Sequence, residues 1–486
     1  MKKPLSLNVL LLVVALFLHR EPCSAQLTKN LPNIVYILAD DMGYGDIKAF
    51  NSNAQTATPN LDKLCKEGMS FTDAHSGSAV CTPTRYGILT GRYAFRSSLK
   101  KGVLNGYSPA LIENDRITIA DVAKAAGYQT GVVGKWHLGL DWATSGTAKQ
   151  DAENVLIDQP LKNGPNNLGF DYSFILPASL DMPPYTFLEN GQVIDKDTVH
   201  SGGSPEKARG IFWRAGKAAK SFDIYSTLDV IVDKAKSYIE TTTHVKKPFF
   251  LYVPLTAPHT PWLPGKAYRT SGAGTYGDFV QHTDAAVGRL LQCLDSLGLS
   301  SNTLIIFTSD NGADWKDKDK IAYPLHQANY VFRGEKSDLW EGGHHIPFIA
   351  KWPNYIKAGE HTNETICLTD FMATLASLTN QKLPAKAGPD SYDFLTLLKG
   401  KNAATRESII HHSIDGMFAI RKGKWKFIDG SGSGGWSMKM GNPGDPAGQL
   451  YDLDNDISET KNLYDQYPEI VKELKALLEK YKNNGL

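Results

Sequence analysis

Cysteine is scarce here: five in 486 residues. Cys65, Cys81, Cys293 and Cys367 lie far apart, without the close spacing of a zinc site or of a disulfide framework. Most are therefore expected to be free and buried. An excess of either charge is also missing. Lys and Arg total 52 and Asp and Glu 51, a net charge of +1, which argues against a nucleic-acid binder. Local recognition of an anion stays open. No run is long enough to span a bilayer, and there are no internal repeats. What remains is ordinary globular composition, 42% apolar and 21% charged, in a chain long enough for two or more structural units.

Residues 1–25 read as an export signal. Lys2 and Lys3 open it, Leu10–Leu18 is a short apolar run, and Cys23-Ser24-Ala25 supplies small residues before a cut ahead of Gln26. A lipoprotein cut at Cys23 is the alternative, poorly served by Glu21 and Pro22. The expected address is export, to the periplasm or outside the cell.

Three apolar runs end in polar residues. Asn33–Ala39 leads into Asp40-Asp41, Gln129–Gly134 into Lys135-Trp136-His137, and Thr303–Ser309 into Asp310-Asn311. Runs without alternation suit buried parallel strands, and ligands of open α/β sheets bind beyond the carboxyl ends of such strands. Asp40-Asp41 alone reads equally as an N-cap beside a surface Asp, and Lys135 with His137 as a solvated edge. Together, two carboxylates, a carboxylate with an amide, and an oxygen at Cys81 would suit a hard cation. His259 is held between Pro258 and Pro261, as suits a positioned acid. The spacing predicts helices near 58–68, 118–127, 227–241, 277–298, 369–378 and 468–483. Strand-like pieces follow near 408–412, 417–421, 424–428 and 449–454, interrupted by a Gly/Ser-rich loop at 430–435 read as a turn or rim. Residues 140–225 give few local signals. Asp181-Met182-Pro183-Pro184-Tyr185 and Phe212-Trp213-Arg214 read as loops that could border a substrate, with Tyr185, Trp213 and Trp262 as candidate stacking surfaces.

Cys81-Thr82-Pro83-Thr84-Arg85, continued by Tyr86-Gly87-Ile88-Leu89-Thr90-Gly91-Arg92, has Pro in the first turn of a helix with Cys81 at its N-terminus. The segment resembles the signature of the formylglycine-dependent sulfatases, of arylsulfatase and N-acetylgalactosamine-6-sulfatase type, and matching segments extend over most of the chain. The resemblance implies an α/β fold: an alkaline-phosphatase-like mixed sheet flanked by helices, with a smaller C-terminal α+β domain containing an antiparallel sheet. It places a catalytic domain at 26–383 and the smaller domain at 384–486. It implies conversion of Cys81 to formylglycine by a formylglycine-generating enzyme. Ca²⁺, or Mg²⁺, would be held by Asp40, Asp41, Asp310, Asn311 and the modified Cys81. Arg85 would orient the modified residue, Lys135 and Lys336 would contact sulfate, and His137 and His259 would move protons. In the family's two steps, one hydroxyl of the aldehyde hydrate attacks sulfur. The second loses its proton to His137, so that sulfate leaves and the aldehyde is restored. A sulfated carbohydrate is the implied substrate, with galactose or N-acetylgalactosamine and O6 favoured.

Two other functions compete. A phosphatase or phosphodiesterase of the same superfamily would use Ser or Thr and zinc-binding His residues, against which Cys-x-Pro-x-Arg counts. A non-catalytic sulfoglycan-binding relative would be expected to lack Lys135, His137 or His259, and all three are present.

Overall fold

A computed structural model describes residues 31–205, 208–401 and 403–483. The expected export signal at 1–25 lies outside the described residues. The structure is organised by one mixed sheet of ten strands. Five central strands run parallel in the order Thr303–Ser309, Asn33–Asp40, Phe249–Pro258, Gln129–Lys135 and Tyr172–Leu176. Both faces are covered, which is why these segments lack alternation. On one face Val35, Ile37 and Leu251 pack with Ile231, Val232 and Leu290 from helices Thr227–Thr242 and Gly274–Ser296. On the other, Tyr36 meets Phe371 of helix Phe371–Leu378 edge-on at 5.0 Å. Phe348–Lys351 adds antiparallel beside Thr303–Ser309, followed by Met69–Phe71 and Glu360–Thr362.

Because the central strands share one direction, their carboxyl ends meet at one edge of the sheet. Asp40, Lys135, His259 and Asp310 all lie there, at or just after a strand end. The ladder to Phe249–Pro258 shifts register between Leu38 and Asp40, so that Asp40 pairs with Pro258, the neighbour of His259.

The expected helices form within a few residues of their predicted bounds. Thr118 caps Ile119–Ala125, its Oγ1 accepting from the amides of Ala120 and Asp121. Strand Tyr172–Leu176 and the two-residue strands Leu188–Glu189 and Gln192–Val193 fall in the stretch that gave few signals; such short segments carry little periodicity.

A second, antiparallel sheet joins Ile409–His412, Phe418–Lys422, Trp425–Ile428 and Gln449–Asp452. Helix Pro468–Asn483 lies on it through Val471, Leu474 and Leu478, whose cluster includes Tyr93 and Phe95, a few residues beyond the Cys81 segment. Lys426 ties the small sheet to the short helix Glu341–His344 that precedes strand Phe348–Lys351 of the large one. Its fully buried Nζ stands 2.9 Å from Glu341 Oε1 and 2.8 Å from Glu459 Oε1. The small sheet also holds the Cys81 turn: the amide of Ala79 (3.0 Å) and Oγ of Ser78 (2.9 Å) both donate to the His412 carbonyl. Cys65, Cys81, Cys293 and Cys367 are free, and all but Cys65 are buried. Among the described residues no helix is long and apolar enough to cross a membrane.

Candidate active site

Cys81 is the first residue of helix Cys81–Thr90, every residue of which is buried. Val80 enters extended, Pro83 occupies the first turn, and Gly91 ends the helix with φ of 59°. Oγ of Thr84 donates to the Ser78 carbonyl at 2.9 Å and closes the turn before Cys81. Burial pushes the Cys81 thiol up to about 12, even with Lys135 and Lys336 opposing. At neutral pH it is therefore protonated and a weak nucleophile as it stands.

Beside it the predicted oxygen donors converge. Asp41, with φ of 66°, donates its amide to Asp310 Oδ1 at 3.2 Å, and Asn311 Nδ2 donates to Asp41 Oδ1 at 2.7 Å. Three buried cations face them. Arg85 donates from Nε (3.1 Å) and Nη2 (2.7 Å) to Asp310 Oδ2, and its Nη2 lies 3.3 Å from Asp40 Oδ1. Lys135 Nζ donates to both oxygens of Asp40 at 2.9 and 2.7 Å and to Ser179 Oγ at 3.1 Å. Lys336 Nζ donates to Asp41 Oδ2 at 2.7 Å. Burial would raise Asp40, but Lys135, His259 and Arg85 hold it well below the usual carboxylate range. Burial and then the Asp40 charge push Asp310 up to about 7.

This cluster fits a hard cation. Asp40, Asp41, Cys81 and His259 each bring a ligand atom within 4.8 Å of the others. Asn311 Oδ1 is buried without a partner among the described residues, and the carboxylates crowd enough to lift Asp310. Apart from the Cys81 sulfur and a His259 nitrogen, the donors gathered here are oxygens. Three carboxylates face three cations, so the cluster is close to neutral, and a divalent ion would make it positive. His259 joins the grouping although the sequence pointed to it only as an acid.

Two other groupings have comparable spacing, His75–His344–His411 and Asp73–His75–His345. In the first, the rings of His344 and His411 stack 3.5 Å apart at 10°, so their lone pairs run side by side rather than converge. Lys426 Nζ already sits 3.1 Å from His344 Nε2. In the second, Asp73 is bonded to Arg421 at 2.7 Å and His345 to Glu341 at 2.9 Å. Both groupings belong to the polar contact between the sheets.

Two histidines line the cluster. His137 adopts φ of 55° and is buried. Its Nε2 lies 2.7 Å from the Leu104 carbonyl, which assigns the proton there, and Nδ1 has no partner among the described residues. Burial, with Lys135 and Arg85, holds its pKa well below the usual value, so the ring is neutral with a free acceptor. His259 Nδ1 lies 2.5 Å from the Thr260 carbonyl, and Nε2 is 3.7 Å from Asp41 Oδ2. Ser179, which links Lys135 to His259, went unread in the sequence because it stands on a loop with no local signature. The Asp181 and Phe212–Arg214 loops do meet: Arg214 pairs with Asp181, whose carboxylate is held low, against burial, by His259 and Arg214. Tyr185 and Trp262 are not open stacking surfaces. Tyr185 is buried with its hydroxyl donating to the Arg214 carbonyl at 2.6 Å, and Trp262 is buried, packed against Tyr276 at 5.3 Å.

Comparison with known proteins gives the family. The family model described as Sulfatase matches residues 32–381, and that described as N-sulphoglucosamine sulphohydrolase, C-terminal, matches 334–484. An N-acetylgalactosamine-6-O-sulfatase of Bacteroides thetaiotaomicron is 37% identical over 93% of this chain and 93% of its own. Human arylsulfatase A is 32% identical over 92% of this chain and 87% of its own. A solved structure, from work on the metabolism of multiple glycosaminoglycans by Bacteroides thetaiotaomicron, superposes with a TM-score of 0.83. It is 35% identical and covers 94% of this chain and 100% of its own.

Proposed function

The chain belongs to the sulfatase family and is a sulfuric ester hydrolase; from that premise we propose that it removes sulfate from sugars at the centre around Cys81. N-acetylgalactosamine or galactose sulfated at O6 is the preferred substrate, in keeping with the relative that is 37% identical. The observation that carries the reading is the ring of Arg85, Lys135 and Lys336 around an acidic cluster beside a buried, protonated thiol. A thiol so hard to ionise is a poor direct nucleophile; the Cys81–Arg85 motif, in a chain of the sulfatase family, supports its conversion to formylglycine by a generating enzyme. A hydrated formylglycine supplies two hydroxyls on one carbon, one to attack sulfur and one to release it. Asp40, Asp41, Asp310, Asn311 and the oxygen at position 81 would hold a divalent ion, Ca²⁺ or Mg²⁺, which would supply charge against the sulfate oxygens.

The chain's own residues account for the rest. Lys135 and Lys336 donate to the acidic pair and are placed to turn to sulfate when that pair takes up a cation. Arg85 locks Asp310 through a fork of two N–H donors and keeps a positive charge beside Cys81. His137 presents a neutral, unpaired Nδ1 and serves as the base. His259 donates Nδ1–H to its neighbour's carbonyl and keeps Nε2 on the side of Asp41; as the imidazolium it gives the Nε2 proton to the departing sugar oxygen and is left as neutral imidazole. Asp181 and Arg214 lie beside His259 and face the sugar.

Residues 1–25 act as the export signal, 26–383 as the catalytic part and 384–486 as the smaller domain, in keeping with the separate antiparallel sheet from Ile409 to Asp452. The enzyme works in the periplasm or outside the cell. Ion chromatography of inorganic sulfate, with the matured enzyme and position-defined sulfated sugars, tests the proposal. Fastest release from the 6-O-sulfated N-acetylgalactosamine is expected. Release from another position alone would overturn the sugar assignment, and release of phosphate but not sulfate would overturn the chemistry.

A further inference from the structure

The loop that carries Trp436 reads in sequence as a Gly/Ser-rich turn. In the structure it is fastened beside Lys336. Ser433 Oγ donates to the buried Asp338 Oδ1 at 2.8 Å, the Ser437 amide donates to the same oxygen at 3.2 Å, and Ser437 Oγ donates to Asp338 Oδ2. The Trp436 amide donates to Ser337 Oγ at 2.8 Å. Gly435 passes so close that a Cβ there would lie 2.5 Å from the Ser337 carbonyl oxygen. These contacts hold a large indole still while leaving it 46% exposed.

Its neighbours are cationic. Lys316 Nζ stands 5.0 Å and Lys336 Nζ 5.7 Å from the ring centre. Lys336 is also the group bonded to Asp41, so one side chain separates the indole from the acidic cluster. Beyond it opens a cleft of about 500 Å³ that includes Trp436, Lys316, Lys318 and Glu335. Glu335 is 6% exposed, and its Oε2 has no partner among the described residues. Burial, then Asp314, push it up to about 8, so it holds a proton at neutral pH and can donate as well as accept.

We propose that this cleft is a second sugar subsite, which holds the unit linked to the sulfated one and favours a unit carrying its own anionic group. The proposal rests on the sulfatase reading of the Cys81 centre. A pyranose has an apolar C–H face and a hydroxyl rim, matching a fixed indole beside an unpaired carboxyl group. Lys316 and Lys318 then meet the carboxylate or second sulfate. A cation resting on an aromatic face keeps part of its attraction for anions because the ring does not neutralise it.

The test compares kcat/KM on three sulfated substrates: the best sulfated N-acetylhexosamine as a monosaccharide, the same sugar linked to a uronic acid, and the same sugar linked to a neutral hexose. Nitrophenyl sulfate serves as the minimal ester. Wild-type enzyme is expected to prefer the uronic-acid disaccharide over the monosaccharide by about tenfold or more, equivalent to about 1.4 kcal/mol. In Trp436→Ala the loss on that disaccharide should exceed the loss on nitrophenyl sulfate about tenfold, chiefly through KM, and Trp436→Phe should recover most of it. Lys316→Ala/Lys318→Ala should erase the preference for uronic acid over neutral hexose. Equal losses on all substrates, or no wild-type preference for the disaccharides, would overturn the subsite. A neutral-hexose preference would overturn its anionic character. If wild-type enzyme releases no sulfate from any substrate, the sulfatase reading fails instead. The cleft is then judged by titrating the uronic-acid disaccharide against tryptophan fluorescence: weaker binding in Trp436→Ala supports it, and equal binding overturns it.

Discussion

Replacing Lys426 by Met should destabilise the whole molecule without touching the chemistry. The ammonium group is fully buried between Glu341 and Glu459, at 2.9 and 2.8 Å. Met keeps much of the stem volume but leaves two carboxylates facing each other. Removing one partner of a buried ionic group costs about 3–5 kcal/mol. At about 2.1 cal/mol/K of unfolding entropy per residue, a chain of 486 residues shifts its melting midpoint by about 1 °C per kcal/mol, so a fall of about 3–5 °C is expected. The pH dependence gives the sharper test. Glu459 is already lifted to about 7, by burial and then by Glu341, against the pull of Lys426. Without Lys426, Glu459 rises further above its unfolded value, and Glu341, which Lys426 and His344 hold well below the usual carboxylate range against burial, loses the main charge that holds it there. A carboxyl raised in the folded state contributes stability that is present below its unfolded pKa and lost as pH rises through the folded one. The deficit of Lys426→Met should therefore be largest above pH 7 and shrink towards pH 5. Differential scanning fluorimetry at both pH values reads it, with Lys422→Met, a partly exposed lysine on the same sheet, as the unchanged control. Adding Glu341→Gln and Glu459→Gln should restore much of the midpoint. A Lys426→Met midpoint equal to wild type at pH 8, or a deficit that grows on acidification, would refute the reasoning.

Three further outcomes follow from the site and one from a buried histidine of the small sheet. Arg85→Lys keeps the charge but loses the two-donor fork to Asp310, and kcat/KM should fall by about 10²–10³-fold with folding intact by circular dichroism. His137→Asn and His259→Asn should each lower kcat by about 10²–10⁴-fold, and pre-steady-state kinetics should separate them: His259→Asn slows release of the alcohol, His137→Asn the release of sulfate. Chelation should abolish turnover, with activity restored by Ca²⁺ or Mg²⁺ and not by Zn²⁺, read as sulfate release. His412 is lowered by burial to about 4, so it favours the folded state above its unfolded pKa of about 6.5 and loses that contribution as pH falls to about 4. The melting midpoint of His412→Asn should thus fall less steeply with acid than that of wild type.

The cluster around Cys81 was legible because its parts stand at the ends of apolar strands or inside one compact motif. Asp40-Asp41, Asp310-Asn311 and Cys81 through Arg85 each carry their signal within a few residues, and parallel strands then bring the ends together. Trp436 was not legible. Its place depends on contacts to Ser337 and Asp338, about a hundred residues away, and a Gly/Ser-rich stretch hides such fastening. Lys426 reads as one more charge in a basic strand until Glu341 and Glu459 close on it. Tyr185 and Trp262 show the opposite error: their residue types suit sugar stacking, but burial turns them into packing. The short strands between 172 and 193 escaped because pairing with neighbours, not local propensity, makes them strands.

The most direct measurement follows sulfate release from a 6-O-sulfated N-acetylgalactosamine while the converted fraction of Cys81 is varied by co-expression with a formylglycine-generating enzyme and read from the mass of the Cys81 peptide. Many turnovers per enzyme, in proportion to the converted fraction and absent from Cys81→Ala, are expected. Undiminished turnover from protein whose position 81 is wholly thiol, or none from fully converted, Ca²⁺-loaded protein, would contradict the account.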